Sequence, residues 1–224
     1  MSKINKKEYF DTNGYYIERN VFIENEMQEL FFLFYDLSIN FIDRNKIEIE
    51  KKYLDIKNIQ YPEHIKFLDH IMLTIFNFNK DLIGEIYDTV SYSSTFMRFL
   101  GNKKVEKLTQ ELMGLTNYSS LYGWTNRIRI DPPADERRTY GWHQEIFYSI
   151  PNSKFIQTWC PILRDTTIQN GTIEIKPGSH KEGIPPQTWT EEKGKATQII
   201  IDKNVTDKYK TLKLEMKLGD LLFS

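Results

Sequence analysis

The 224 residues suffice for one domain with a substantial core. Hydrophobic residues make up 40% and charged residues 27%, an ordinary globular composition, and a formal net charge of −1 leaves no basic excess for nucleic acid. A single cysteine, Cys160, excludes an intramolecular disulfide framework; with no apolar leader and no membrane-length apolar window, a cytoplasmic protein with no membrane partner is expected.

In chain order, "GYYIERNVF" (14–22) reads as an extended piece. In "IENEMQELFFLFYDLSINF" (23–41), Met27, Leu30, Phe31, Phe34 and Phe41 recur at helical spacing, with Glu24, Glu26 and Glu29 where the helix dipole favours acids. "YPEHIKFLDHIMLTIF" (61–76) predicts a helix opening at Pro62, with Ile65, Leu68, Met72 and Ile75 on one face. "KDLIGEIYDTVSYSSTFMRFLG" (80–101) and "NKKVEKLTQELMG" (102–114) read as helices stopping at Gly101 and Gly114. From about residue 120 the pattern changes to short alternating or β-branched runs: "TNRIRID", "KFIQTWCPIL", "GTIEIKPG", "KATQIIID", "TLKLEMKLG" and "DLLFS". Turn residues separate them, and Asn170-Gly171 predicts a hairpin. The expectation is one domain over 1–224, mainly helical over 1–118 and built of strands over 119–224.

"YGWHQEIFYSIPN" (140–152) holds His143, Gln144 and Glu145. In a strand, residues i and i+2 share a face, so His143 and Glu145 would both reach one metal ion. Two histidines and a carboxylate on one face of Fe(II) leave positions open for dioxygen and an organic acid. The tripeptide alone is weak, because H-x-[DE] recurs by chance as a surface pair.

Downstream runs "FIQTWCPILRDTTIQNGTIEIKPGSHKEG" (155–183), and near the end "GDLLF" (219–223). An HQE tripeptide, a strand with Trp159, the Asp165–Gly171 segment "DTTIQNG", then "PGSH" at 177–180 and Gly219–Phe223 form an ordered series. This series resembles the phytanoyl-CoA dioxygenase family of Fe(II)/2-oxoglutarate oxygenases, and "NGYYIERNVFIENEMQEL" is similar to the family's opening strand and helix; residues 40–120 match only loosely. The resemblance implies an α+β fold: a double-stranded β-helix, a cupin-like jelly roll, braced by N-terminal helices. It implies Fe(II) as cofactor and 2-oxoglutarate as co-substrate, with His143 and Glu145 as iron ligands. Glu145 departs from the family's usual aspartate. The implied reaction is C–H hydroxylation of a small organic substrate with dioxygen, releasing succinate and CO2. A carboxylate at this position favours hydroxylation over halogenation.

The family's remaining ligand histidine and its 2-oxoglutarate-binding arginine follow the "G-D-x-x-x-F" motif, whereas here Ser224 follows Phe223. The expectation is therefore a C-terminally truncated chain whose last strands are missing. The competing reading is a jelly-roll binding module without catalysis. Trp159 is either a core aromatic or a wall of the co-substrate site. Arg129, one of four arginines in "RIRIDPPADERR", is a candidate co-substrate contact through bidentate pairing. His180 is expected to stabilise a turn or lie at the pocket rim, His64 and His70 to pack or lie at the surface, and Cys160 to be buried.

Overall fold

A computed structural model describes residues 5–56, 63–116, 119–123, 127–133, 135, 139–148, 154–191 and 197–224. The helices are α1 (Lys6–Asn13), α2 (Glu24–Asn45), α3 (Ile65–Phe78), α4 (Lys80–Ser91), α5 (Ser94–Leu100), α6 (Lys103–Met113) and α7 (Lys203–Thr206). The strands are β1 (Tyr16–Glu18), β2 (Thr158–Trp159), β3 (Ile173–Ile175), β4 (Gln187–Thr190), β5 (Gln198–Ile201), β6 (Leu212–Leu214) and β7 (Leu221–Phe223). They form three antiparallel sheets, ordered β1-β7-β2, β3-β6 and β4-β5, which beside the helices make an α+β fold.

The helical layer follows from its spacing. α2 opens where the Glu26 carboxylate accepts the Ile23 N–H at 2.8 Å, half of a capping box. Its buried stripe is Met27, Leu30, Phe31, Phe34 and Phe41, and it packs on α3, α4 and α5. On α3 the buried face is Ile65, Leu68, Ile71 and Ile75, with Met72 only half-buried beside them. Each such side chain stabilises the fold by about 1.5–3 kcal/mol through removal from water.

β7 joins this layer to the strands. Leu221 and Phe223 face the helical core, while Leu222 faces a second cluster with Leu214, Met216 and Trp159. An apolar run buried on both faces is what a central strand requires. The turn before it is anchored by Gly219, whose carbonyl accepts from Val21 N at 2.9 Å and Phe22 N at 3.1 Å. Gly219 has φ +84°, and a Cβ there would lie 2.5 Å from the Phe22 carbonyl oxygen. The buried Asp220 carboxylate accepts from Asn20 N at 3.1 Å, Lys217 N at 2.8 Å and the Arg19 guanidinium at 2.5 Å.

Several expectations are corrected. The stretch 80–101 is two helices, broken at Tyr92, because the Ser93 side chain accepts Phe96 N and starts a new one. Pro62 lies outside the described residues, and α3 begins at Ile65. In "TNRIRID", 125–126 lie outside the described residues and 127–131 form no strand. There Arg129 folds onto Asp131, and Pro132 and Pro133 have no N–H to extend a ladder. "KFIQTWCPIL" keeps only two strand residues before Pro161, although Gln157 and Ser224 exchange backbone bonds of 2.9 and 3.0 Å beyond them. Asn170-Gly171 turns the chain without making a hairpin, since β2 pairs with β7 and β3 with β6. Its side chain closes a local loop instead, with Asn170 Nδ2 donating to Asp165 O at 2.9 Å and Thr167 N donating to Asn170 Oδ1 at 2.8 Å. Asp165 Oδ1 in turn accepts Leu218 N at 2.7 Å, so the DTTIQNG loop braces the turn before β7. No helix among the described residues is long and apolar enough to cross a membrane.

Candidate metal centre

Residues 139–148 are not a strand, contrary to expectation: 139–144 are irregular and Glu145–Tyr148 form a 3-10 turn. What holds them is the edge of β5. Gln198 donates from Nε2 to Thr139 O and accepts Gly141 N at Oε1, both at 2.8 Å. Ile201 N donates to Trp142 O at 2.8 Å, and Ile199 N donates to the Tyr148 hydroxyl at 3.0 Å. A Cβ at Gly141 would lie 2.8 Å from Ile200 Cγ2, so this close approach needs glycine.

The anchored segment brings His143 and Glu145 together. Nδ1 of His143 lies 2.7 Å from Gly141 O and Nε2 lies 3.1 Å from Glu145 Oε1. The two side chains keep 26% and 31% of their exposure. The hydrogen bond to Glu145 raises the imidazole pKa above its ordinary value, helped by the Gly141 carbonyl and opposed by burial and by Arg129. Tyr140 and Tyr148 flank the ring at 5.6 and 6.0 Å between centroids.

This pair fits a divalent metal in two respects. With the Nδ1 proton on a backbone carbonyl, Nε2 is the nitrogen left to ligate, the usual outer support of a metal-binding histidine. Two donors about 2.1 Å from one ion and at right angles stand about 3 Å apart, matching the observed separation. Among the described residues no group of three His, Cys, Asp or Glu is gathered to hold a metal ion. The other histidines are engaged elsewhere: His64 against Phe31, His70 stacked on Tyr53, and His180 bonded through Nε2 to Asp11 O at 3.0 Å, with its ring against Gly14.

Arg129 lies one ring away from His143, its guanidinium 5.2 Å from the Tyr140 centroid and its Nε 2.8 and 3.0 Å from the two Asp131 oxygens. Arg137 and Arg138 lie outside the described residues. Trp159 packs in the cluster with Leu214, Met216 and Leu222. Burial pushes the Cys160 thiol pKa far up, the state of an unreactive packing residue.

Gly141, Tyr148 and Gln198 belong to this arrangement but to none of the sequence motifs. Their signals were slight: a glycine two residues before the histidine, and one glutamine opening the apolar run "QIII". An open cleft of about 320 Å³ adjoins the turn, lined by Phe147, Pro185, Pro186, Gln187, Trp189 and Ile199.

The family model described as phytanoyl-CoA dioxygenase (PhyH) matches residues 10–224. Against the curated proteins the chain has no match.

Proposed function

The chain belongs to the phytanoyl-CoA dioxygenase family, a family of Fe(II)- and 2-oxoglutarate-dependent oxygenases, and from that premise we propose that it hydroxylates a C–H bond of a small organic substrate. The observation that supports this reading is the His143–Glu145 pair, with Nδ1 of His143 held on the Gly141 carbonyl. These two residues would hold the iron, as two members of a histidine–carboxylate facial site. When bound, iron supplies the oxidation of the substrate by dioxygen, coupled to conversion of 2-oxoglutarate to succinate and CO2.

The chain's own residues orient and shield. The Gly141 carbonyl fixes the imidazole tautomer, and Gln198 fixes Gly141. Tyr140 and Tyr148 wall the imidazole on two sides, which limits water at the ligand nitrogen. Arg129 and Trp159 are the proposed co-substrate contacts. Arg129 carries a fork matched to a carboxylate, and Asp131 engages it. Trp159 offers an apolar wall within a double-stranded β-helix, of which we read the three small sheets as parts. With one cysteine in the sequence, we place the activity in the cytoplasm.

The test is formation of succinate from 2-oxoglutarate by the full-length protein in the presence of Fe(II) and dioxygen. The reading expects turnover that Glu145→Ala abolishes. Absence of turnover, with no Fe(II) binding that depends on His143, assigns the chain to the non-catalytic reading.

A further inference from the structure

Residues 176–183 are tied into one unit by their own backbone. Ser179 N donates to Lys176 O at 3.1 Å, Lys181 N to Gly178 O at 3.2 Å and Gly183 N to His180 O at 3.3 Å. This unit grips the metal segment on both sides of His143. On one side, Lys176 Nζ lies 4.6 Å from the centroid of the Trp142 ring, and the same ammonium donates to Tyr209 O at 2.9 Å. On the other side, Gln144 Nε2 donates to Gly183 O at 2.9 Å. Trp142 and Gln144 are the chain neighbours of His143, and Gln144 also adjoins Glu145. The bonds from β5 reach Trp142 O and the Tyr148 hydroxyl; the Gln144 bond falls between them, beside both candidate ligands.

The unit is in turn seated on the end of α1. Gly178 N donates to Asn13 O at 2.8 Å, and His180 Nε2 donates to Asp11 O at 3.0 Å. Both carbonyls lie in the last helical turn, where C=O groups have no helical N–H to accept. The imidazole rests against Gly14, which caps α1 at φ +77°. A Cβ at Gly14 would come within 2.3 Å of His180 Nδ1, so a glycine at this left-handed cap leaves room for the ring. With Nε2 on Asp11 O, His180 works as a strut between the first helix and the loop that holds Gln144.

We infer that His180 is a positioning residue for the metal pair: by seating residues 176–183 on α1 it fixes, through Gly183 and Gln144, where His143 and Glu145 stand. The metal role rests on the oxygenase reading; the seating of the segment does not. His143 Nε2 and Glu145 Oε1 stand 3.1 Å apart before any ion arrives. Ligands held in place beforehand bind more tightly, because their ordering no longer opposes binding. The Gly178–Asn13 bond remains when the His180 side chain is changed, so the loop keeps a backbone attachment to α1 in the variants below.

The experiment has two readouts on the full-length protein. One is the fluorine resonance of 5-fluorotryptophan at position 142 in the metal-free protein, assigned with Trp142→Phe. The other is affinity for Co(II), read from the visible absorbance that His143→Ala abolishes. His180→Leu should shift the Trp142 resonance and weaken Co(II) binding by about two- to fivefold, the range for one hydrogen bond at the solvent edge. His180→Gln, whose amide nitrogen can stand where the imidazole Nε2 stood, should restore both. In a Gln144→Leu background the further loss from His180→Leu should shrink, because the bond that carries the effect is already cut. A Trp142 resonance indifferent to His180→Leu, Co(II) affinity equal in all three proteins, failure of His180→Gln to restore them, or a loss undiminished by Gln144→Leu overturns the inference. A Trp142 resonance that follows His180 in a protein that takes up no Co(II) leaves the seating assigned and removes the metal reading. Co(II) bound through His143 with a Trp142 resonance that ignores His180 does the reverse.

Discussion

At the residue scale, His143 shows how one hydrogen-bond pair sets both a proton and a metal equilibrium. In the metal-free protein its pKa lies above 6.5, raised first by the hydrogen bond to Glu145 and then by the Gly141 carbonyl. The folded value exceeds the unfolded one, so the pair's contribution to stability is full below about pH 6.5 and is lost as pH rises through the folded pKa. The urea midpoint of the metal-free protein should therefore fall as pH rises across this window. In Glu145→Gln that fall should be smaller; an unchanged slope would detach the titration from this pair. Proton and metal compete for Nε2, so metal affinity should rise over the same window. Gly141 tests the support behind the ligand. A methyl group there meets Ile200 Cγ2 at 2.8 Å and pushes the segment off β5. Gly141→Ala should weaken Co(II) or Fe(II) binding by about tenfold or more, the usual effect of losing an outer support. Unchanged affinity in calorimetry would show that the β5 anchoring is dispensable.

At the element scale, the turn Leu218–Asp220 is fixed by more bonds than its three residues suggest. Gly219→Ala places a Cβ 2.5 Å from the Phe22 carbonyl at a left-handed φ, and backbone strain alone costs about 1–3 kcal/mol. Asp220→Ala leaves the N–H groups of Asn20 and Lys217 without their acceptor, at about 2–4 kcal/mol in sum. At about 2–4 °C per kcal/mol for a chain of this size, these changes should lower the melting temperature by roughly 2–12 °C and 4–16 °C respectively. A fall of under about 2 °C would show that the turn relaxes freely. The helices were legible because burial on one stripe repeats over several turns, as in Met27, Leu30, Phe31, Phe34 and Phe41 of α2. The strands were legible in position but not in pairing, because runs such as "GTIEIKPG" carry no mark of which distant strand they join. The segment with His143 and Glu145 was legible as chemistry and misread as a strand. Its bonds come from Gln198, Ile199 and Ile201, over fifty residues away, and no local pattern encodes them. α1 was missed because none of its residues is buried, so it has no apolar stripe to read.

At the scale of the whole molecule, β7 divides two apolar clusters and so couples the helical layer to the strand region. Leu222 stands between Ile17 and Trp159 in the ladder, with their side chains on one face. Leu221 and Phe223 look the other way, into the core shared with α2 and α4. Replacing residues on the two faces should thus give separable effects. Leu222→Ala removes buried methyl groups and should cost about 2–5 kcal/mol, depending on how far its neighbours collapse. It should also shift the fluorotryptophan resonance of Trp159, while Trp142 and Trp189 keep theirs. Phe223→Leu should destabilise the fold through the helical core and leave the Trp159 resonance near its original position. The measurement is the fluorine spectrum of the labelled protein, with Trp159→Phe providing the assignment. If Leu222→Ala moves all the tryptophan resonances alike, or Phe223→Leu moves Trp159 as far, the two clusters respond as one. The strand region would then have no packing independent of the helices, and changes made for the Trp159 wall would disturb the whole fold.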